Sequence, residues 1–157
     1  MSVATLTNYQ EIARQTAVET GLLKNLTDGL RDVLAWEVHG GDYGRKLSTL
    51  LFISQSFKRH LGRLMNLEEV DGYMDIVLEN KPFWSKKVQA LKREHDRFRF
   101  AIRRIVQELK QLAAWDVLGF ANIEIDLAEL LDRLEHHTKK EAKLFQEALE
   151  QEEGGEG

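Results

Sequence analysis

The sequence has no cysteine, a single proline and no long apolar run, and each of these absences narrows what the chain can be. Without cysteine there can be no disulfide, thiolate metal ligand, iron–sulfur cluster or catalytic thiol. Any metal must be held by nitrogen and oxygen, which favours iron, manganese or zinc over copper(I). No stretch of about 18 apolar residues could cross a membrane, and the N-terminus shows no basic region followed by a hydrophobic one. We therefore expect a cytoplasmic protein with no membrane partner.

What the chain does have is helical patterning. Its 157 residues are 43% apolar and 31% charged, enough for one domain with a substantial core. Alternating patterns bounded by turn residues, which would indicate strands, are missing. Apolar residues recur instead at steps of three and four, which is typical of amphipathic helices. They predict four helices, at about 8–38, 45–78, 86–112 and 122–151.

Short connections between long amphipathic helices predict an all-α fold, an antiparallel up-down-up-down four-helix bundle. We expect one domain over residues 1–151 and a disordered acidic and glycine-rich tail over 152–157. Gly21 marks a place where the first helix could break, because an interior glycine costs about 1 kcal/mol. Ser85 is a candidate N-cap for the third helix.

Three of the predicted helices carry polar residues on their apolar faces. We call the line of face positions spaced three and four residues apart the seam of the helix. Between 88 and 112, every seam position is apolar except His95, and between 127 and 148 the polar members are His137 and Glu141. His60 interrupts the seam of the second helix in the same way. Buried imidazoles and carboxylates cost stability unless something satisfies them, and a metal ion can do so.

The spacing of these residues decides which of them could share an ion. His137 and Glu141 lie one helical turn apart, so both could reach one ion at roughly 2.0–2.2 Å. His60 and Glu68 are separated by about 12 Å along the helix axis, so we expect different roles for them. A metal-free interpretation stands beside this one, in which each histidine is hydrogen-bonded to a backbone carbonyl or to a buried acid.

Two segments then suggest a family. Leu-Lys-Arg-Glu-His-Asp-Arg-Phe at 91–98 and Leu-Glu-His-His-Thr-Lys-Lys-Glu-Ala-Lys-Leu-Phe at 134–145 together resemble the second half of a hemerythrin-like (HHE cation-binding) domain. The resemblance implies a four-helix bundle in which His95, His137 and Glu141 form half of a carboxylate-bridged di-iron site. In that family such sites bind oxygen, handle iron, or sense redox state or nitric oxide.

The first half of the chain departs from the family pattern. Aligned with it, Leu26 and Leu64 stand where two histidine ligands are expected, while Glu68 keeps its place. Three interpretations stay open. The chain could hold a single metal ion, or two ions with His60 and either Glu19 or Glu37 as replacement ligands, or it could have lost its metal.

The leading hypothesis is a hemerythrin-like protein with an altered or partial metal site, acting in metal or oxygen binding or redox sensing rather than in turnover. One or two non-heme iron ions are favoured over zinc or manganese, and no metal at all is the remaining case. No nucleophile triad, phosphate-binding loop or zinc-protease motif indicates an enzyme. The candidate ligands are His60, Glu68, His95, His137 and Glu141.

Two other functions are considered. A metal-free interaction module, forming a homodimer, would use a buried polar network to fix helix register and present Trp36, Trp84 or Trp115 to a partner. Nucleic-acid binding through the basic third helix is disfavoured, because the formal net charge is −4 and a solvated face paired with acidic neighbours explains the same residues.

Overall fold

A computed structural model describes the backbone of residues 3–154 and the side chains of residues 8–148. It confirms the all-α four-helix bundle: the four long helices run along one another, and the described residues contain no strand. None of the described helices is long and apolar enough to cross a membrane. The helices, in chain order, are α1 (Val3–Leu34), α2 (Gly44–Glu69), α3 (Tyr73–Asn80), α4 (Ser85–Gln111) and α5 (Val117–Gly154), with a 3-10 turn at Pro82–Trp84 before α4.

The predicted second helix is in fact two helices, and the break between them matters for the site. Asp71 adopts a left-handed backbone with φ of 55°, and its N–H donates to Asp75 Oδ2 at 2.8 Å. At Gly72 the chain passes so close to α2 that a Cβ would lie 2.0 Å from the carbonyl oxygen of Leu67. Only glycine fits there without moving the backbone. The apolar periodicity continues into α3, where Met74 is fully buried, and this continuity led us to predict a single helix. The Asp-Gly pair at 71–72 is typical of a turn and was the sequence signal of the break.

The first helix is unbroken at Gly21 and ends at Leu34, before the predicted residue 38. A buried lysine closes its C-terminal end. Lys46 Nζ donates to the carbonyl oxygens of Leu34 and Trp36, both at 2.9 Å, and to Glu124 Oε2 at 3.0 Å. This lysine therefore satisfies carbonyls that the helix end leaves without partners and ties α2 to α5.

The remaining boundaries differ from the prediction by small amounts. Ser85 is the first residue of α4, preceded by Trp84 in the capping position, and no side chain caps the helix there. Helix α5 begins at Val117, five residues before the predicted start. The predicted tail at 152–157 covers the last residues of α5 and residues 155–157, which lie outside the described part, so its disorder stays a prediction.

The buried apolar side chains form two groups. The larger one, with Phe57, Phe98 and Leu134 among its members, fills the bundle between α1, α2, α4 and α5. The smaller one packs α3 and Trp84 against α4 and α5, and contains Leu91 and Leu144. His95 follows Leu91 and precedes Phe98, while His137 lies between Leu134 and Leu144. Both histidines therefore lie in a polar layer between the two apolar groups.

Candidate metal centre

Three side chains from two helices meet in this polar layer. His95 on α4 and His137 and Glu141 on α5 each present one potential ligand atom, and these atoms lie within 4.8 Å of one another. The two histidines are 1% exposed, and the Glu141 side chain is 11% exposed. Their convergence follows from the seam positions, because α4 and α5 pack together through those seams.

The histidine nitrogens are short of hydrogen-bond partners. Among the described residues, both ring nitrogens of His95 and Nε2 of His137 are buried without one. His137 Nε2 lies 2.6 Å from Glu141 Oε1, yet the two atoms are not aligned for a hydrogen bond, and His95 Nε2 is 3.8 Å from the same oxygen. Buried polar atoms without partners are costly and rare. Two imidazoles and a carboxylate whose ligand atoms lie within 4.8 Å of one another could together hold a metal ion.

Helix α2 adds two carboxylates next to His95. Glu68 Oε1 lies 3.9 Å from His95 Nε2, and Glu69 Oε1 lies 3.5 Å from His95 Nδ1. Burial raises the pKa of Glu68, and its hydrogen bond to Glu141 and the charges of Glu141 and Glu69 raise it further. Glu68 is thus a buried acid with no cation of its own among the contacts described, placed as a fourth group beside the three converging ligands.

Tyr73 completes the layer from α3. Its hydroxyl donates a hydrogen bond to Glu141 Oε2, which leaves Oε1 as the oxygen that faces His137. Burial raises the pKa of Tyr73, and the charge of Glu141 adds to this, so the phenol keeps its proton to donate. Tyr73 is not on the predicted seam, since it precedes the seam residue Met74 by one position. The turn at Asp71 brings Tyr73 to the site, and the Asp-Gly pair was the sequence signal that could have revealed it.

An outer pair of residues orients His137. Its Nδ1–H donates to Glu94 Oε2 at 2.6 Å, and Glu94 Oε1 accepts from Lys140 Nζ at 2.6 Å. A carboxylate on one ring nitrogen directs the lone pair of the other toward the cluster, a common arrangement behind metal-binding histidines. Burial opposes a positive charge on His137, but Glu141 and Glu94 outweigh it and raise its pKa. A metal ion on Nε2 would compete with a proton for the same lone pair.

The family model of the hemerythrin HHE cation-binding domain matches residues 14–149, which include every residue of this layer. The chain belongs to the hemerythrin HHE cation-binding domain family. Comparison with curated proteins and with solved structures gave no match. The resemblance first suggested by two short segments is thereby confirmed over most of the chain.

Within this hemerythrin domain, four of the five predicted ligands are together and the fifth is elsewhere. His60 Nδ1 lies 2.6 Å from Glu19 Oε2 on α1, and Arg63 is 3.9 Å from the same carboxylate. His60 is two helical turns before Glu68 and outside the three-residue cluster. Its role as a metal ligand stays a prediction. His95, His137 and Glu141 converge, and Glu68 adjoins them.

The leucines that stand at the two family histidine positions have apolar surroundings. Leu26 packs against the larger core group, and Leu64 lines a cleft that leads to the polar layer. Glu37, considered as a replacement ligand, is exposed in the connection between α1 and α2. Neither leucine offers a nitrogen or oxygen ligand, and Glu37 lies away from the polar layer.

Three of the basic side chains of α4 are paired with acids on neighbouring helices. Arg99 contacts Glu69 on α2. On α5, Asp126 is contacted by Arg104 and Glu147 by Lys87.

The tryptophans differ in exposure: Trp84 is buried, whereas Trp36 and Trp115 are exposed.

Proposed function

We propose that this hemerythrin domain binds one non-heme metal ion, with iron favoured over zinc or manganese, through His95, His137 and Glu141. Glu68 is the fourth group at the site. The observation that supports this most strongly is the set of buried ring nitrogens without hydrogen-bond partners beside a buried carboxylate. The function we infer is metal or oxygen binding, or redox sensing, rather than turnover.

The chemistry of the donor set favours iron. Two imidazoles and one carboxylate with open positions are typical of non-heme iron(II) sites, whereas thiolates, which this chain lacks, would favour zinc or copper(I). When bound, such an ion supplies Lewis acidity and, with iron, one-electron redox chemistry. The chain's own residues hold and orient it: Glu94 fixes the tautomer of His137, and Tyr73 occupies one oxygen of Glu141.

The surroundings favour one ion over two. The carboxylate of Glu19, a candidate replacement ligand, is engaged by His60. Leu64 presents an apolar side chain where the family resemblance leads us to expect a histidine. In the described part of the chain, a single group of three candidate ligands has its ligand atoms within 4.8 Å of one another. A mononuclear site accounts for all three observations.

A binding or sensing role agrees with how the titratable groups are used. Tyr73 donates to Glu141, and Glu94 is held between His137 and Lys140. General acid–base catalysis needs a group free to exchange a proton with a substrate. These groups instead fix the geometry of the site.

A pair of neighbouring histidines provides a matched test. His137 is buried in the cluster, whereas His136 next to it is exposed. Elemental analysis of protein purified without chelators should find about one equivalent of iron in the wild type and in His136→Ala. His137→Ala should lose most of it, since removal of one ligand of a small site weakens binding strongly.

Other results of the same metal analysis would contradict the proposal. Wild-type protein with less than about a tenth of an equivalent of iron, zinc or manganese, and no uptake on reconstitution, would contradict metal binding. A melting temperature unchanged by chelator in that protein would instead favour a metal-free polar network. Equal metal loss in both alanine variants would point to a loss of fold rather than of a ligand.

A further inference from the structure

A cleft of about 700 Å³ opens between α1, α2 and α5 and ends at the polar layer. Helix α1 packs mainly along α2 and meets α5 at far fewer positions, which leaves this space between them. The volume lies within the range of sites for small organic ligands. The side chains at its inner end include Glu68, Tyr73, His95, His137 and Glu141.

The walls of the cleft are apolar, and their few hydroxyl donors are already used. Thr20, Thr27 and Thr138 each donate to the carbonyl oxygen one turn earlier in their own helix. A ligand in the cleft would therefore meet mostly carbon and gain little from polar groups along its length. The apolar wall residues are Leu23, Leu61, Leu64, Met65, Leu131 and Leu134.

The charges around the cleft indicate what kind of head group fits. Arg31 is paired with Asp132, and Lys139 lies 3.5 Å from Glu135, so these cations are already matched at the mouth. Lys24 is exposed there as well. The inner end is rich in acids, and none of the cleft-lining residues there is a lysine or arginine. An anionic head group would be repelled by those acids, whereas a neutral hydroxyl could hydrogen-bond with them.

We propose that this cleft binds one small uncharged organic molecule with an apolar body and a single hydroxyl group directed at the polar layer. The proposal rests on the proposed function in one respect: the hydroxyl group would face the metal ion when the ion is bound. The apolar walls hold the body of the ligand whether or not metal is present. Binding to metal-free protein therefore tests the cleft separately from the metal site.

Calorimetric titration of the metal-free, full-length chain with n-alkanols tests the proposal. We expect one molecule of n-decanol per chain, and an affinity that rises about two- to fourfold for each methylene between hexanol and decanol. Decanoate, which has the same length but carries a charge, should bind at least about tenfold more weakly.

Two substitutions that fill the cleft provide the decisive comparison. Ala142→Trp at the mouth and Leu64→Trp in the wall should each lower decanol affinity at least about tenfold, because the new ring occupies the ligand's space. Ala121→Trp, also on α5 at an exposed position outside the cleft, should leave it unchanged. Ala142 and Ala121 are both exposed, so both tryptophans should be tolerated.

Three results would overturn the proposal. They are no decanol binding by folded wild-type protein, decanoate binding as tight as decanol, or equal affinity in Ala142→Trp and Ala121→Trp. Failure of the metal site would appear differently, as normal decanol binding by a protein that takes up no zinc or iron.

Discussion

At the scale of single residues, the site is defined by polar atoms at positions that the helices make apolar. His95 and His137 are almost completely buried, and yet some of their ring nitrogens have no hydrogen-bond partner among the described residues. The sequence predicted both, together with Glu141, because a polar residue on an otherwise apolar seam is visible in the 3.6-residue period. Glu68 was predicted from its place on the same helix face as His60 and from the family resemblance. Its burial beside His95 depends on how α2 packs against α4, and the apolar period of one helix gives no information about that packing.

Glu68 leads to a prediction in which stability and metal affinity change in opposite directions. Glu68→Gln removes a buried carboxyl group that lies beside Glu141 and Glu69 and keeps a donor for Glu141. We expect the metal-free protein to gain about 1–3 kcal/mol in free energy of unfolding, because a poorly compensated buried acid is removed. Metal affinity should fall roughly 10–100-fold, as it does when a supporting group of a metal site is lost.

Denaturant unfolding of chelator-treated protein and a competition titration with the metal measure the two quantities. Glu79→Gln, at an exposed position of α3, is the matched control and should change neither. If Glu68→Gln destabilised the metal-free protein and left metal affinity intact, Glu68 would be a structural residue with no part in the site.

At the scale of helices, the turn between α2 and α3 has the largest consequence. It ends α2 at Glu69 and starts a new helix that brings Tyr73 to Glu141. We predicted one helix over 45–78 because the seam residues Leu67 and Met74 keep the same period, and the Asp-Gly turn signal between them was overlooked. What breaks the helix is backbone geometry, a left-handed Asp71 followed by a close approach at Gly72. The apolar period shows which residues face the core. A turn of this kind can leave the spacing of core-facing residues unchanged, so the period alone does not show the turn.

Two glycines provide a matched pair for this turn. In Gly72→Ala the new Cβ would meet the Leu67 carbonyl, so we expect a loss of about 2 kcal/mol or more in stability. In Gly62→Ala, inside α2, the new methyl meets nothing within 4 Å. That variant should gain roughly 0.5–1 kcal/mol, because alanine favours the helix and restricts the unfolded chain.

Metal affinity separates the turn's role in the site from its role in folding. Gly72→Ala should weaken metal binding even where the protein is folded, because Tyr73 follows the turn directly. Gly62→Ala should bind as the wild type does. Equal stability of the two variants in denaturant titrations would show that the turn is not tightly constrained.

At the scale of the whole molecule, a polar layer separates two apolar groups inside one bundle. The fold class could be predicted because four long amphipathic segments with short connections have few ways to bury their apolar faces. Only some of the residues in the polar layer could be predicted from the sequence. His60 has the same seam signature as His95, but α1 provides Glu19 as its partner, and that pairing depends on two helices far apart in sequence.

The most direct test of the account is a crystal structure of the iron-loaded protein with anomalous scattering data collected at the iron edge. We predict one anomalous peak per chain, at roughly 2.0–2.2 Å from a ring nitrogen of His95, a ring nitrogen of His137 and a carboxylate oxygen of Glu141. A peak between His60 and Glu19, two peaks in the bundle, or no peak in protein soaked with excess iron would contradict the proposed single site.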